Sequence, residues 1–148
     1  MMALFFACIF ASAQKNELIA RLSKNQLPRN TVEFLNAHYA THKVALCFVE
    51  YDFGKIDDYV VFLTSGTDLK FDRNGELQSI DCGEKDSVPM TVLPQKIRQY
   101  LAINFNELKV VDYVVDDRGR RFEEHEIELI NGVELTFNRK FKCVEIEY

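Results

Sequence analysis

Apolar residues recur at helical spacing in two stretches of the chain. The stronger apolar stripe consists of Ile97, Tyr100, Leu101 and Phe105, and the weaker one consists of Phe34, Leu35 and Tyr39. A Leu-Pro pair, Leu27-Pro28 or Leu93-Pro94, precedes each stripe. Because proline has no backbone N–H to leave unpaired, it suits the first turn of a helix. The pattern therefore predicts two helices of about three turns, one after each pair.

Strand-like patterns follow each predicted helix. VALCFVEY (44–51) and VVDYVVDD (110–117) are rich in β-branched and aromatic residues, which favour strands. Next, YVVFLTSGTDLKFD and HEIELINGVELTFN each place a glycine between two alternating apolar runs. Asn131-Gly132 predicts a two-residue hairpin turn with positive φ at both residues, and Ser65-Gly66 is a weaker version of it. A last strand, ELQSIDC or KCVEIEY, closes each set.

The two sets look like copies of one unit. Sliding the chain by 66 residues aligns 27–82 with 93–148 without a gap. Twelve of the 56 pairs are identical, whereas chance at ordinary residue frequencies gives about three or four. Each copy is predicted as one helix plus a four-stranded antiparallel meander, and neither unit alone buries much surface. We therefore predict an α+β fold of two fused units. The alternating residues expected to face the helices are Val61, Leu63, Leu69 and Phe71, with Ile127, Leu129, Leu135 and Phe137.

The start of the chain has the composition of a secretory signal peptide. A short apolar run ends in Ala11-Ser12-Ala13, a small-x-small site that predicts cleavage after Ala13. The run is too short to span a bilayer as a helix. No Lys or Arg precedes it, so either the true start lies upstream or the signal is atypical, and a buried N-terminal element is the alternative.

The predicted segments are a signal peptide (1–13), a lead-in (14–26), repeat 1 (27–82), a linker (83–92) and repeat 2 (93–148). Residues 14–148 are predicted to form one globular domain. Within the lead-in, Leu18, Ile19 and Leu22 predict a short helix between Asn16 and Lys24.

Composition narrows the class of partner. The 148 residues are 47% hydrophobic and 28% charged, a globular profile, with a formal net charge of −5 and a pI near 5.2. Nucleic acid is disfavoured because its phosphates call for clustered Lys and Arg, and no basic stretch occurs. We expect no stable membrane insertion after signal cleavage.

Three short motifs resemble those of a known family. The LP…(Y/F)L…(Y/F) helix, the nG-x-x-(L/I)-x-F-(D/N) hairpin and the VPMTVLP stretch (88–94) resemble the PepSY-like family of secreted bacterial proteins, which is described as β-lactamase-inhibitor-like. The resemblance covers nearly the whole chain after the signal. It implies a periplasmic or secreted protein whose tandem α+β repeats form one curved sheet with helices on one face. The resemblance also implies binding or inhibition of extracellular enzymes, notably peptidases.

The chain departs from the family pattern at two places. Tyr39-Ala40 and Phe105-Asn106 stand where family helices often end in an aromatic-Pro pair. Leu77 and Cys143 stand where an aromatic residue is common in the fourth strand. Neither departure threatens the fold, but both weaken the transfer of a specific partner.

Few residues suit catalysis or metal binding. His38 and His42 are four apart, a spacing that can hold a metal on a helix, but His38 falls off the apolar stripe and His42 lies past the expected helix end. His125 begins a strand, which favours packing. Residues 72–76 (DRNGE) begin like a calcium loop but lack its later ligands, so a β-turn is the better interpretation. The sequence therefore predicts no enzyme, no metal site and no cofactor.

Once Cys8 leaves with the signal, Cys47, Cys82 and Cys143 remain. An odd number cannot pair completely within a monomer, and sequence does not choose a pair. The interpretation favoured here is that they are small apolar residues packed in strands.

An asymmetry between the copies suggests a binding surface. On the sheet face away from the helices, repeat 1 carries Leu46, Phe48, Val60 and Phe62, where repeat 2 carries Asp112, Val114, Glu126 and Glu128. Monomers seldom leave a contiguous apolar patch uncovered, so either a partner or another part of this chain should lie over it. The chain itself could cover it with the N-terminal segment, the linker or the loop that carries Tyr51 and Phe53.

These observations favour an exported non-catalytic binding module, and more narrowly an inhibitor or regulator of an extracellular or periplasmic enzyme. Its predicted anchors are Phe48 and Phe62 with nearby Tyr51 and Phe53, and the acidic residues of repeat 2 would steer a basic protein partner. The alternative is a small-ligand or envelope-stress binding protein with a pocket between helices and sheet. A metal-dependent enzyme using His38 and His42 is the third hypothesis.

Overall fold

Nine strands form one antiparallel sheet in the computed structural model, which describes residues 18–117 and 123–148. The strands are β1 (Leu18–Leu22), β2 (Val44–Asp52), β3 (Lys55–Leu63), β4 (Asp68–Asp72), β5 (Leu77–Asp81), β6 (Val110–Asp117), β7 (Glu123–Leu129), β8 (Glu134–Asn138) and β9 (Cys143–Glu147). Helix α1 (Arg29–His38) precedes β2, and helix α2 (Gln95–Asn104) precedes β6. Each strand pairs with its neighbour in the chain, so the sheet is open. The predicted α+β class is confirmed.

Strand β1 corrects the prediction of a short helix between Asn16 and Lys24. It pairs antiparallel with β2 along its whole length, from Leu18 opposite Tyr51 to Leu22 opposite Cys47. This pairing occupies the backbone groups on the outer edge of β2, which would otherwise lie open. Because the partner is more than twenty residues away, helical periodicity within the segment could not reveal it.

The hairpin turns differ from the predicted two-residue type. In the turn at Asn131-Gly132, only Gly132 has positive φ (84°), and the amide of Leu129 bonds the carbonyl of Val133 at 2.9 Å. The loop is therefore three residues long, with glycine in the left-handed position. A two-residue hairpin with positive φ at both residues occurs instead at Phe53 (48°) and Gly54 (75°), between Asp52 and Lys55.

Both helices pack on the same face of the sheet. The ring of Phe34 in α1 meets Phe71 of β4 edge to face at 5.4 Å, and Tyr100 of α2 meets Phe137 of β8 at 5.3 Å. Each such fully buried Phe stabilises the fold by about 2–3 kcal/mol. The predicted helix-facing residues are all buried: Val61, Leu63, Leu69, Phe71, Ile127, Leu129, Leu135 and Phe137.

The middle of the sheet has the shortest pairing. Strand β5 pairs with β6 only from Ser79 opposite Val114 to Asp81 opposite Asp112. The residues after β5 strengthen the junction, because the amides of Cys82 and Val88 donate hydrogen bonds to the carbonyls of the two residues at the start of β6, each at 2.8 Å. Val88 is itself buried in the core.

Candidate functional site

The second face of the sheet, which we call the free face, has neither helix packed on it. Along β2, Cys47 and Val49 are buried on the helix side, so Leu46 and Phe48 lie on the free face. Leu46 stands opposite Phe62. These residues, together with Val60 opposite Phe48, form the apolar patch, defined as Leu46, Phe48, Val60 and Phe62. The four predicted residues are thus placed together.

Partly exposed aromatic rings form the centre of the apolar patch. Phe48 and Phe62 meet edge to face, with ring centroids 5.8 Å apart. All four patch residues are half-buried rather than buried. Such a pair already gains from its own contact, and it still has surface left to bury against a partner.

The other two predicted aromatic anchors lie elsewhere. Tyr51 stands opposite Leu18 of β1 and shares the alternation of Val49, which puts it on the helix side of β2. Phe53 is at the tip of the β2–β3 hairpin with 73% of its surface exposed. A non-glycine residue with positive φ costs about 1–2 kcal/mol, and burial does not offset that cost at this tip. Neither residue covers the apolar patch.

A row of carboxylates continues from the apolar patch across the sheet. Phe62 stands directly opposite Asp68, and each following strand places an acid opposite the previous one. The carboxylate row consists of Asp68, Asp81, Asp112, Glu128, Glu134 and Glu147, one residue from each strand from β4 to β9. With strands about 4.8 Å apart, its five steps span about 24 Å.

The acidic half of the free face extends beyond the carboxylate row. Glu126, which was also predicted, lies two residues from Glu128 on β7 and is exposed. Thr136 and Glu145 continue from it onto β8 and β9. These residues and the outer part of the row line a depression of about 420 Å³.

Like charges opposed in this way repel one another, and the effect is largest at Asp112. Burial, followed by the carboxylates of Asp81, Glu128, Glu126 and Glu134, raises the pKa of Asp112 to about 6. Burial and Asp81 also raise the pKa of Asp68. The free face therefore carries unusually concentrated negative charge.

Lys70 shares the free face but belongs to another charge cluster. Its ammonium nitrogen lies 2.7 Å from Asp58 and 3.6 Å from Glu50. The hydrogen bond from Lys70 to Asp58 raises the pKa of Lys70. Its charge is thus directed toward Asp58 on β3 and Glu50 on β2, away from the carboxylate row.

Asp112 and Glu128 of the carboxylate row, and Glu126 beside it, were predicted from the sequence, whereas the other four residues of the row were not. Comparing the two copies position by position reveals only differences between them, not which residues stand side by side across the sheet. Asp68, Asp81, Glu134 and Glu147 would have been found by aligning every strand with its neighbour, as in a meander, and reading the residues that share one face.

The two N-terminal histidines contact the middle of the chain separately. His38 Nδ1 lies 2.9 Å from the hydroxyl of Thr91, and His42 Nε2 lies 3.4 Å from Asp86 Oδ2. Within residues 18–117 and 123–148, no three His, Cys, Asp or Glu side chains are grouped so as to hold a metal ion. The geometry places these histidines as ties between the end of α1 and the linker.

His125 is a buried core residue with both ring nitrogens occupied. Its Nδ1 lies 2.9 Å from the hydroxyl of Tyr113, and its Nε2 lies 3.0 Å from Glu123 Oε1. Burial lowers the pKa of His125, although Glu123 opposes the shift. In the neutral ring, Tyr113 donates to Nδ1, and Nε2–H donates to the carboxylate. This network satisfies the polar atoms of the core in repeat 2.

The cysteines within the described residues are free thiols. Burial raises the pKa of Cys82 to about 11 and also raises that of Cys47. Thiols held protonated in this way are poor nucleophiles. Cys47 is buried within β2, as interpreted from the sequence, whereas Cys82 is buried just after the end of β5 and Cys143 is only half-buried on β9.

The calcium-like segment is a turn whose leading carboxylate is already engaged. Asp72 Oδ1 accepts hydrogen bonds from the amides of Asn74 and Glu76 at 2.8 and 2.9 Å. Asn138 accepts the equivalent bonds from Lys140 and Lys142 at 3.0 and 3.1 Å. An amide serves as well as a carboxylate here, which identifies a turn-forming role.

An open groove of about 980 Å³ lies where β5 and β6 separate. Phe34 and Val92 line it from the helix side, and Tyr113 and Glu123 line it from repeat 2. This groove is the place in the described structure that best matches a small-ligand pocket.

The fold and the free face define a class of protein: a helix-backed antiparallel sheet whose open face carries an apolar patch and a row of acids. The chain belongs to the family described as "Putative beta-lactamase-inhibitor-like, PepSY-like", because the sequence model of that family matches residues 57–145. The predicted resemblance is confirmed. No curated protein matches the chain.

Solved structures from Bacteroides are similar over most of the chain. A "putative periplasmic protein" of Bacteroides vulgatus has a TM-score of 0.77 and 29% identity, covering 88% of this chain and 97% of its own. A "putative calcium-regulated periplasmic protein" of Bacteroides thetaiotaomicron has a TM-score of 0.77 and 30% identity, with the same coverage. A "putative periplasmic protein of unknown function" of Bacteroides vulgatus has a TM-score of 0.73 and 32% identity, covering 89% and 99%.

Neither helix in the described part of the chain is long and apolar enough to cross a membrane. The predicted signal peptide lies outside the described residues.

Proposed function

We propose that this chain is an exported, non-catalytic binding module that takes a protein partner on the free face and inhibits or regulates an extracellular or periplasmic enzyme. One observation carries the proposal: the apolar patch and the carboxylate row lie side by side on a face that both helices leave open. Interfaces commonly combine a desolvated aromatic centre with charged groups that steer the partner.

The aromatic pair supplies the anchor. Phe48 and Phe62 are already ordered against each other at 5.8 Å, so a partner that packs on them loses little side-chain freedom. Phe53, exposed at the hairpin tip, is a second contact at the end of the same strands.

The chemistry of the described side chains supports binding rather than catalysis. His125 uses both ring nitrogens in the core, and the buried thiols are held protonated. Within the described strands, the residues of the carboxylate row have only Phe62 and one another opposite them in the register. Catalysis needs a nucleophile and an acid–base group within mutual reach.

The fusion of two copies supplies a face wide enough for a partner. The halves share their turn hydrogen bonds: Leu63 and Leu129 each bond the carbonyl four residues on, at 2.9 Å, and Asp72 and Asn138 do so at 2.8 and 3.0 Å. Duplication of one helix-plus-meander unit accounts for this correspondence together with the aligned sequence. Secretion after cleavage near Ala13 fits the similar structures described as periplasmic.

Calcium regulation is not part of the proposal. Although one similar structure is described as calcium-regulated, the Asp72 carboxylate is occupied by its own turn. The acids of the carboxylate row stand one per strand and do not converge on a point.

The test is partner capture with the patch removed. The double variant Phe48→Ser and Phe62→Ser should lose a partner that the parent captures from periplasmic extract, as identified by mass spectrometry. Ile103→Ser is the control, because Ile103 lies on α2 with 82% of its surface exposed and should not affect capture. Circular dichroism shows whether the double variant is folded. If it is not, the two single variants serve for the same capture test. Unchanged capture by a folded variant would rule out this site.

The groove between the halves favours a second candidate, a small-ligand binding protein. Its volume of about 980 Å³ lies at the upper end of the usual range for ligand pockets. A ligand that binds only the native state would raise the melting temperature. A thermal-shift screen that finds such a ligand, with the effect lost in Tyr113→Ala, would favour this function.

A further inference from the structure

We infer that the partner segment bound on the free face has a large apolar or aromatic anchor followed by several Lys or Arg residues. This inference rests on the proposed function and adds the chemistry of the partner. Its basis is the order of residues in one row of the sheet: Leu46 and Phe62 come first, and six carboxylates follow from β4 to β9.

The carboxylate row has no cation within its own register. Every cross-strand neighbour in it is another acid, and directly opposed like charges weaken a sheet. Lys70, on the adjacent row, is held by Asp58 and Glu50. A partner that brings cations would relieve this repulsion, so the acidic half of the face is complementary to a basic surface.

The geometry orients the partner as well. From β2 to β9 the row takes seven steps, about 34 Å at 4.8 Å per step. An extended segment of about ten to twelve residues covers this distance. Its apolar end would pack on Phe48 and Phe62, and its basic part would lie over Asp112, Glu128 and the acids beyond them.

Fluorescence anisotropy with labelled peptides tests the inference on the full chain. The probe is a peptide of about twelve residues with an apolar first third that includes Phe and a remainder rich in Lys, sized to the row. Two matched probes replace each Lys by Gln or by Glu. The parent should bind the Lys peptide at least about tenfold more tightly than the Gln peptide and should not bind the Glu peptide, and added salt should weaken binding.

Two double variants test whether peptide affinity depends on the carboxylate row or only on the net charge of the protein. Asp112→Asn with Glu128→Gln should weaken Lys-peptide binding about tenfold or more. Glu33→Gln with Glu107→Gln removes the same charge from two exposed positions off the sheet and should leave affinity within about twofold. Equal losses in the two pairs would reduce the effect to net charge and overturn the inference.

Other outcomes distinguish this inference from the proposed function. In one outcome, Phe48→Ser with Phe62→Ser abolishes binding of the Lys and Gln peptides alike, while Asp112→Asn with Glu128→Gln leaves binding unchanged. The apolar anchor is then supported, and the inference of a basic partner is wrong. The basic partner is equally wrong if no peptide binds although the patch variant loses its partner from extract. A last outcome concerns calcium ions added alone. If they bind the parent, bind Asp112→Asn more weakly and displace the Lys peptide, the carboxylate row is a metal site and the inference is overturned.

Discussion

Replacing Asp112 by Asn should stabilise the protein at neutral pH. Burial and four neighbouring carboxylates raise the pKa of Asp112 from 3.8 to about 6. Two units correspond to about 3 kcal/mol in favour of the neutral form. Because Asp112 is partly exposed, solvent screening reduces the expected gain to about 1–1.5 kcal/mol. That is equivalent to a rise of about 3–6 °C in the melting temperature.

The sign of the pH dependence follows from proton binding. Between about pH 4 and pH 6 the folded state holds a proton on Asp112 that the unfolded state has released, so the stability of the parent falls as pH rises through this window. Below the window the carboxyl is protonated in both states, and the parent and Asp112→Asn should then be nearly equal. The difference should grow up to about pH 6 and remain constant above it.

Urea unfolding at pH 4, 5, 6 and 7 measures this difference, with an unchanged denaturant slope as the check on two-state behaviour. Glu107→Gln removes one negative charge from an exposed loop and should change the free energy of unfolding by less than about 0.5 kcal/mol. If Asp112→Asn destabilises at pH 7, or stabilises equally at pH 4, the argument for like-charge repulsion in the row is refuted. If Asp112→Asn is more stable but binds the Lys peptide more weakly, the carboxylate at this position lowers stability and raises affinity for the partner.

Three further substitutions test local features of the fold. Gly75→Ala should destabilise by more than about 2 kcal/mol, because its Cβ would lie 2.7 Å from the Cβ of Pro28 at a φ of 81°. Tyr113→Phe should cost about 1–2 kcal/mol, since it leaves Nδ1 of buried His125 without its 2.9 Å partner. Phe53→Asn should stabilise by about 1 kcal/mol, because Asn tolerates positive φ, and should reduce partner capture.

A different result would contradict each of these three expectations. Gly66→Ala shares a positive φ but meets open space, so it should cost only about 1–2 kcal/mol, and an equal loss at both glycines would contradict the steric argument. A neutral Tyr113→Phe would mean that the hydrogen bond contributes nothing. Destabilisation by Phe53→Asn would mean that Phe53 stabilises the folded hairpin.

The sequence predicted most of the sheet because its strands keep strict alternation. Val61, Leu69 and Phe71 were assigned to the helix side from spacing alone, and all three are buried. Strand β1 escaped prediction because its partner β2 is remote in sequence. The Phe53-Gly54 hairpin escaped because turn rules look for Asn or Asp at the first position, and Phe gives no such signal.

The candidate site was predictable only in part, for a related reason. The apolar patch emerged from comparing Phe48 and Phe62 with their counterparts in repeat 2. The carboxylate row depends on the register of six strands, and a shift of one residue in any strand would turn its acid to the other face. Such an arrangement is fixed by tertiary structure.

Hydroxyl-radical footprinting of the chain bound to its captured partner tests the central claim most directly. If the free face binds the partner, oxidation of Phe48 and Phe62 should fall several-fold on complex formation, while Ile103 on α2 should be oxidised as before. Protection of the helix side, with Phe48 and Phe62 as reactive in the complex as in the free chain, would contradict the account.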